Sequence, residues 1–289
     1  MNDSSAEAEA RFRLGAWEMR LVQTDESLEA SDQIAVKDVP AALQALETAL
    51  RSSPTTAAVL ADLLQASAVM DERSGLIAES LAYSMLMAGT EHRAWLASRT
   101  RRPLPHYEDA AVLLERDRER LVITLNRPSR HNAYSAEIRD GLCAALDLVR
   151  LDGSISDVHL RGAGRSFCSG GDLDEFGTSR DVAVAHLIRR ERSAAELMSI
   201  VGNRVTAHLH GATIGAGIEI SSFAARVVAA EDTVIRLPEV SMGLVPGAGG
   251  TVGITRRIGP WRTLFLAVTG IPLAARRALA WGLVDDVVA

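Results

Sequence analysis

The feature that most restricts this chain's fold is a change of texture near residue 105. Residues 99–105 form a basic, proline-broken joint. Beyond it, short runs of β-branched and aliphatic residues alternate with longer stretches of helical periodicity. Residues 111–114 and 121–125 are strand-like and separated by charge, which predicts a hairpin. Further short strands are expected at 158–160, 205–209 and 227–229, with helices at 136–149 and 181–199 between them. Such alternation predicts an α/β core over residues 106–289.

Residues 1–105 present a different pattern and are expected to form an all-helical N-terminal region. Lys37-Asp38-Val39-Pro40 opens a stretch in which Ala41, Leu43, Leu46 and Leu50 recur at helical intervals. Ser53-Pro54-Thr55 ends it, Val59, Leu60, Leu63 and Leu64 begin a second helix, and a third spans 76–96. No chemistry is legible in these helices, which read as a packing or lid subdomain.

Length and charge exclude several function classes. The 289 residues, 47% hydrophobic, bury a core without a disulfide or metal staple. The two cysteines, Cys143 and Cys168, have neither C-x-x-C nor zinc spacing, which predicts isolated thiols in a reducing compartment. A net charge of -6 argues against nucleic acid as the partner. The acidic N-terminal stretch lacks a signal-peptide profile, and charge interrupts every apolar run short of a membrane span, so a cytoplasmic location is expected.

Three glycine-rich segments sit at strand–helix joints: Ser169-Gly170-Gly171-Asp172-Leu173, the stretch from Gly211 to Glu219, and Pro246-Gly247-Ala248-Gly249-Gly250-Thr251. Glycines at such joints let the backbone approach a ligand and aim N–H groups at negative charge. A dinucleotide fingerprint is absent. No P-loop is present, since the sole lysine is Lys37, and no Gly-x-Ser-x-Gly elbow or zinc spacing occurs. Oxyanion binding explains the glycines better than nucleotide phosphates.

Five segments in order resemble the crotonase (enoyl-CoA hydratase/isomerase) superfamily. Asn126-Arg127-Pro128 through Asn132-Ala133 is similar to its N-R-P-x-x-x-N-A, and Ser166-Phe167-Cys168 through Leu173 to its A-F-C-A-G-A-D-L. His210-Gly211 through Glu219 resembles N-G-x-x-x-G-x-G-x-E. Pro238-Glu239 through Thr251 resembles P-E-x-x-x-G-x-x-P-G-x-G-G-T, and Ala278 through Gly282-Leu283-Val284 resembles A-x-x-x-G-L-V. The resemblance implies a core of repeated β-β-α units, an acyl-CoA substrate with no cofactor beyond its CoA, and a homo-oligomer, trimer or hexamer. In the family, helices follow the G-L-V segment; here the core is expected to lack that tail.

The same resemblance implies roles for particular residues. Two backbone N–H donors, at Gly171 and Ala216, are expected to hold the thioester oxygen; Ala216 also stands at a glycine-flanked helix start, where unpaired amides favour negative charge. Glu219 follows Ala216 by three residues, about one turn, and reaches over the same pocket. With Glu239 it forms the pair of carboxylates that hydratases use, one to hold water and one to exchange a proton with the α-carbon. Arg130 and His131 are expected at the CoA nucleotide. Ala133, Gly170, Asp172, Leu173, Gly215, Arg190 and Gly247 are the remaining candidates for substrate contact.

The leading expectation is an enoyl-CoA hydratase or isomerase. The N-terminal helices, with Tyr83-Ser84-Met85-Leu86 and Glu91 to Leu96, also resemble the cofactor-independent dihydroxyphenylacetyl-CoA dioxygenases, in which the same oxyanion hole serves an aryl-acetyl-CoA carbanion that meets O₂. A non-catalytic acyl-CoA-binding subunit is the third reading.

Overall fold

The computed structural model describes residues 9–15, 17–24, 32–103, 105–179 and 181–289. The first eight residues of the acidic N-terminal stretch, and Leu104 of the joint, lie outside them.

The N-terminal region is not all helical. Strands β1 (Glu9–Leu14), β2 (Trp17–Gln23) and β3 (Gln33–Val36) form a small sheet, β1 antiparallel and β3 parallel to β2. Trp17, Met19 and Leu21 are buried while Glu18 and Arg20 between them are not. That period of two is the signature of a half-buried strand. Four helices follow: α1 (Val39–Ser52), α2 (Pro54–Ser67), α3 (Glu72–Met87) and α4 (Thr90–Ala97). Asp38 caps α1 by accepting from Ala41 N, and Asp71 caps α3 by accepting from Ser74 N. The single expected helix over 76–96 is thus two, broken at Gly89.

The core opens with the expected hairpin, β4 (Val112–Asp117) and β5 (Arg120–Leu125), turning at Arg118 with φ of 54°. After α5 (Ala136–Leu151) and β6 (Asp157–Gly162), the expected helix at 181–199 divides into α6 (Val182–Glu191) and α7 (Ala194–Val201). The break falls where Ser193 accepts from Glu196 N and starts a new helix. Then come β7 (Val205–Leu209), β8 (Ala212–Ile214), the short α8 (Ala216–Ser221), β9 (Arg226–Ala230) and β10 (Val234–Arg236). The chain continues through α9 (Gly250–Thr269), kinked at Gly259 and Pro260, β11 (Leu273–Ala274), α10 (Ala275–Trp281) and β12 (Asp286–Val288).

Six strands form the main sheet in the order β12-β9-β7-β6-β5-β4, all parallel neighbours except β4. A second sheet, β11-β10-β8, stands beside it. Helices α1 and α2 pack on α9, and α3 packs on α6 and α9. Leu46 and Leu60 from the N-terminal helices join Ile123, Leu160 and Phe265 in one continuous buried cluster.

Candidate active site

Where α3 meets α6, α8 and the start of α9, a cavity of about 520 Å³ opens. Its wall includes Gly171, Asp172, Arg190, Ala216, Glu219, Glu239 and Gly247 from the expected set. Arg130, His131, Ala133, Gly170, Leu173 and Gly215 do not line it.

The segment 167–172 is fastened on both sides. Phe167 N and Cys168 N donate to His210 and Ala212 carbonyls, and Ile214 N donates back to Cys168 O. Tyr134 N donates to Gly170 O and Asp172 N donates to Tyr134 O, so this parallel bridge brackets Gly171 and turns its own N–H away. Among the described residues that N–H finds no acceptor, and neither does that of Ala216 in the first turn of α8. Both open amides line the cavity.

Arg130 orders this turn. One of its terminal nitrogens donates to Asp172 at 2.6 Å and to Asp174 at 2.8 Å, and Asp174 is fully buried. His131, at φ of 52°, pairs through Nδ1 with Ser166 Oγ. Arg190 is held by Glu196 at 2.9 Å.

Besides Asp172, held by Arg130, three glutamates are buried at the cavity: Glu79 and Glu219, each 2% exposed, and Glu239, 8% exposed. Glu219 Oε2 accepts from Ala248 N at 2.7 Å and Gly250 N at 3.0 Å. Glu239 Oε2 is buried and has no hydrogen-bond partner among the described residues. Its other oxygen lies over Gly215, where an added Cβ would stand 2.4 Å from Oε1; Gly215 also has φ of 48° and ψ of −120°, a conformation that requires glycine. Burial pushes the Glu239 carboxyl up to about 8. It also raises Glu219 well above the usual carboxylate range, with the nearby charges of Glu239 and Glu79 adding to the effect.

Glu79, Tyr83 and Arg189 are constituents that sequence reasoning missed. Tyr83 from α3 fills the space over Gly247, where a Cβ would meet its ring at 2.3 Å. The Arg189 guanidinium lies 4.6 Å from the centre of that ring and donates to Ser80 O and Ser84 Oγ. A signal existed: Leu76, Glu79, Ser80, Tyr83 and Met87, which all line the cavity, share one helical face. Both cysteines are buried, and burial pushes Cys143 up to about 11 and Cys168 up to about 12, out of reactive range at neutral pH. Among the described residues no group of metal-ligating side chains occurs, and no helix is long and apolar enough to cross a membrane.

A main sheet of parallel strands with one antiparallel hairpin strand, and open amides at two glycine-rich joints beside one cavity, define an α/β scaffold. Over residues 116–289 the sequence matches the enoyl-CoA hydratase/isomerase family, and the chain belongs to it. It is 31% identical over 176 residues to a probable enoyl-CoA hydratase of Bacillus subtilis, covering 61% of this chain and 68% of that protein. It is 32% identical over 176 residues to the 2,3-dehydroadipyl-CoA hydratase of Escherichia coli, with the same coverage. The crystal structure of enoyl-CoA hydratase from Thermoplasma volcanium superposes with a TM-score of 0.58 at 32% identity, covering 63% of this chain and 73% of that one. The match begins after α4, so α3 and its cavity-lining residues lie outside it.

Proposed function

We propose that the chain hydrates or isomerises an enoyl-CoA thioester in this cavity. The observation that carries the reading is the meeting, in one cavity, of two open amides and a buried carboxyl oxygen without a partner. In this reading the N–H groups of Gly171 and Ala216 receive the thioester oxygen. Addition to the double bond moves negative charge onto that oxygen, and one preorganised donor is typically worth about 3–4 kcal/mol of barrier.

Glu239, raised to about 8, is mainly protonated at neutral pH. It gives its proton to the α-carbon as water adds to the β-carbon, and the proton shed by that water restores it. Glu219, fixed by two amides, holds the water. A well-placed acid or base contributes roughly 10²–10⁴-fold. Isomerisation uses the same donor and the same oxygen site, with the proton moved along the chain. Arg130 serves by holding the turn that presents Gly171, a role supported by its bonds to Asp172 and Asp174.

A second reading, a cofactor-independent oxygenase acting on an aryl-acetyl-CoA, is favoured by one observation. Tyr83 of α3 and Arg189 of α6 both line the cavity, and together they offer a hydroxyl and a guanidinium to a polar ring substituent. Purified protein offered crotonyl-CoA and a hydroxylated phenylacetyl-CoA, with thioester absorbance and O₂ followed together, separates the two. Hydration without O₂ uptake, lost by at least about 10²-fold in Glu239→Gln, is the expected result. O₂ uptake with the aryl thioester replaces this reading with the oxygenase. Binding of both thioesters without turnover removes catalysis altogether.

A further inference from the structure

Residues 248–251 turn the chain into α9 and offer four successive backbone N–H groups to two buried carboxyls in alternation. Ala248 N and Gly250 N donate to Glu219 Oε2. Gly249 N donates to Glu79 Oε1 at 2.7 Å, and Thr251 N and Oγ1 donate to Glu79 Oε2 at 3.0 and 2.7 Å. One carboxyl comes from α8 within the family match. The other comes from α3, outside it.

We propose that Glu79 is a positioning residue for the acid/base pair, with its carboxylate fixing the loop that holds Glu219 and setting the charge that Glu219 and Glu239 experience. The inference rests on the acid/base reading above for its catalytic consequence only; the clamp itself stands on geometry. Neither carboxyl alone satisfies the loop, because each takes every second amide. With Glu79 withdrawn, Gly249 N–H and Thr251 N–H are buried without acceptors, a cost that favours another loop path. The path of that loop sets where Ala248 and Gly250 place the Glu219 carboxyl.

The electrostatic half follows from what surrounds the cluster. Glu79 faces Tyr83 on its own helix, Arg189 from α6, Glu219 from α8 and Glu239 from the turn after β10. His186 of α6 reaches Ser80 next to it, and Arg236 stands near Glu239. Arg189 acts on Glu79 and Arg236 on Glu239. The Arg189 guanidinium has no carboxylate within ion-pair distance among the described residues, donates to Ser80 and Ser84, and lies over the Tyr83 ring. Like charges that close disfavour ionisation, and the three carboxyls titrate as a set. Burial raises Glu79 itself to about 7, and its charge raises both partners.

Two variants of the full-length protein separate clamp from charge. Glu79→Gln keeps the shape and removes the charge; Glu79→Asp keeps the charge and withdraws it by one methylene. The readout is ¹³C NMR titration of protein labelled at the glutamate carboxyl carbons, with Glu219→Gln and Glu239→Gln used to assign the signals, alongside the pH profile of crotonyl-CoA hydration. In Glu79→Gln the Glu219 and Glu239 midpoints move to lower pH. In Glu79→Asp they stay closer to the wild-type values. Both variants lose on the order of 10–10²-fold in kcat, as for a small misplacement of a catalytic group, with KM held within about three-fold. Unmoved midpoints in a folded Glu79→Gln protein overturn the proposal whatever the enzyme's activity. A wild type that hydrates nothing while the midpoints move as stated overturns the acid/base reading and leaves the clamp in place. If Glu79→Gln does not fold, Thr251→Val removes one donor to Glu79 and still moves the Glu79 midpoint upward; no movement there refutes the contact.

Discussion

Gly215 shows how tightly single residues are fixed at this site. Its backbone has φ of 48°, and a methyl group there would press on Glu239 Oε1. Gly215→Ala is expected to cost on the order of 1–3 kcal/mol from backbone strain alone, and to lower kcat as Glu239 is displaced; denaturant melts and turnover on crotonyl-CoA check both. The carboxyls also couple stability to pH. Glu79 and Glu239 rise in the folded chain from about 4.5 to about 7 and about 8, so the folded state holds protons that the unfolded state has released. Their stabilising contribution is complete below about pH 4.5 and is lost as pH rises to about 8. Thermal melts should therefore fall between pH 5 and pH 8, and Glu239→Gln should flatten that slope. Glu219, Gly171 and Ala216 drew notice as candidates because each sits inside a glycine-rich segment, and Glu239 because it falls in the family-like stretch from Pro238 to Thr251; the structure brings all four to one cavity. Glu79 and Arg189 drew no such notice, since a buried glutamate on an amphipathic helix is spelled the same way as a solvated one.

Elements were readable where their period was uninterrupted. The β4–β5 hairpin and α5 emerged from sequence because aliphatic runs and helical spacing agree there with the fold. The stretches at 76–96 and 181–199 read as single helices because their apolar positions stay in phase; the breaks are local events, at Gly89 and at the Ser193 cap. Strands β1 and β2 carry an apolar–polar alternation in sequence, from Ala10 to Leu14 and from Trp17 to Leu21, that the helical reading of residues 1–105 passed over; the burial of Trp17, Met19 and Leu21 confirms it. Trp17 also meets Trp261 of α9 edge to face, with ring centres 4.2 Å apart, so this small sheet is tied to the same helix that α1 and α2 cover.

Across the whole molecule, the buried cluster runs without interruption from the N-terminal helices into the sheet. One cooperative unfolding transition is expected, not two. Leu60, fully buried on α2, tests this: Leu60→Ala should cost about 2–5 kcal/mol and move the midpoints of far-ultraviolet and tryptophan signals together. Separate midpoints would divide the chain into independently stable parts. The packing of α3 against α6 and α9 has a consequence for substrate range. Leu76, Ser80, Tyr83 and Met87 furnish one wall of the cavity, while the open amides and the two core glutamates stand on others. If the proposed chemistry holds, selectivity and reactivity reside in separate stretches of the sequence: substitutions on this one helical face, with Glu79 kept, are expected to change which acyl groups bind without disturbing the loops that hold Glu219 and Glu239.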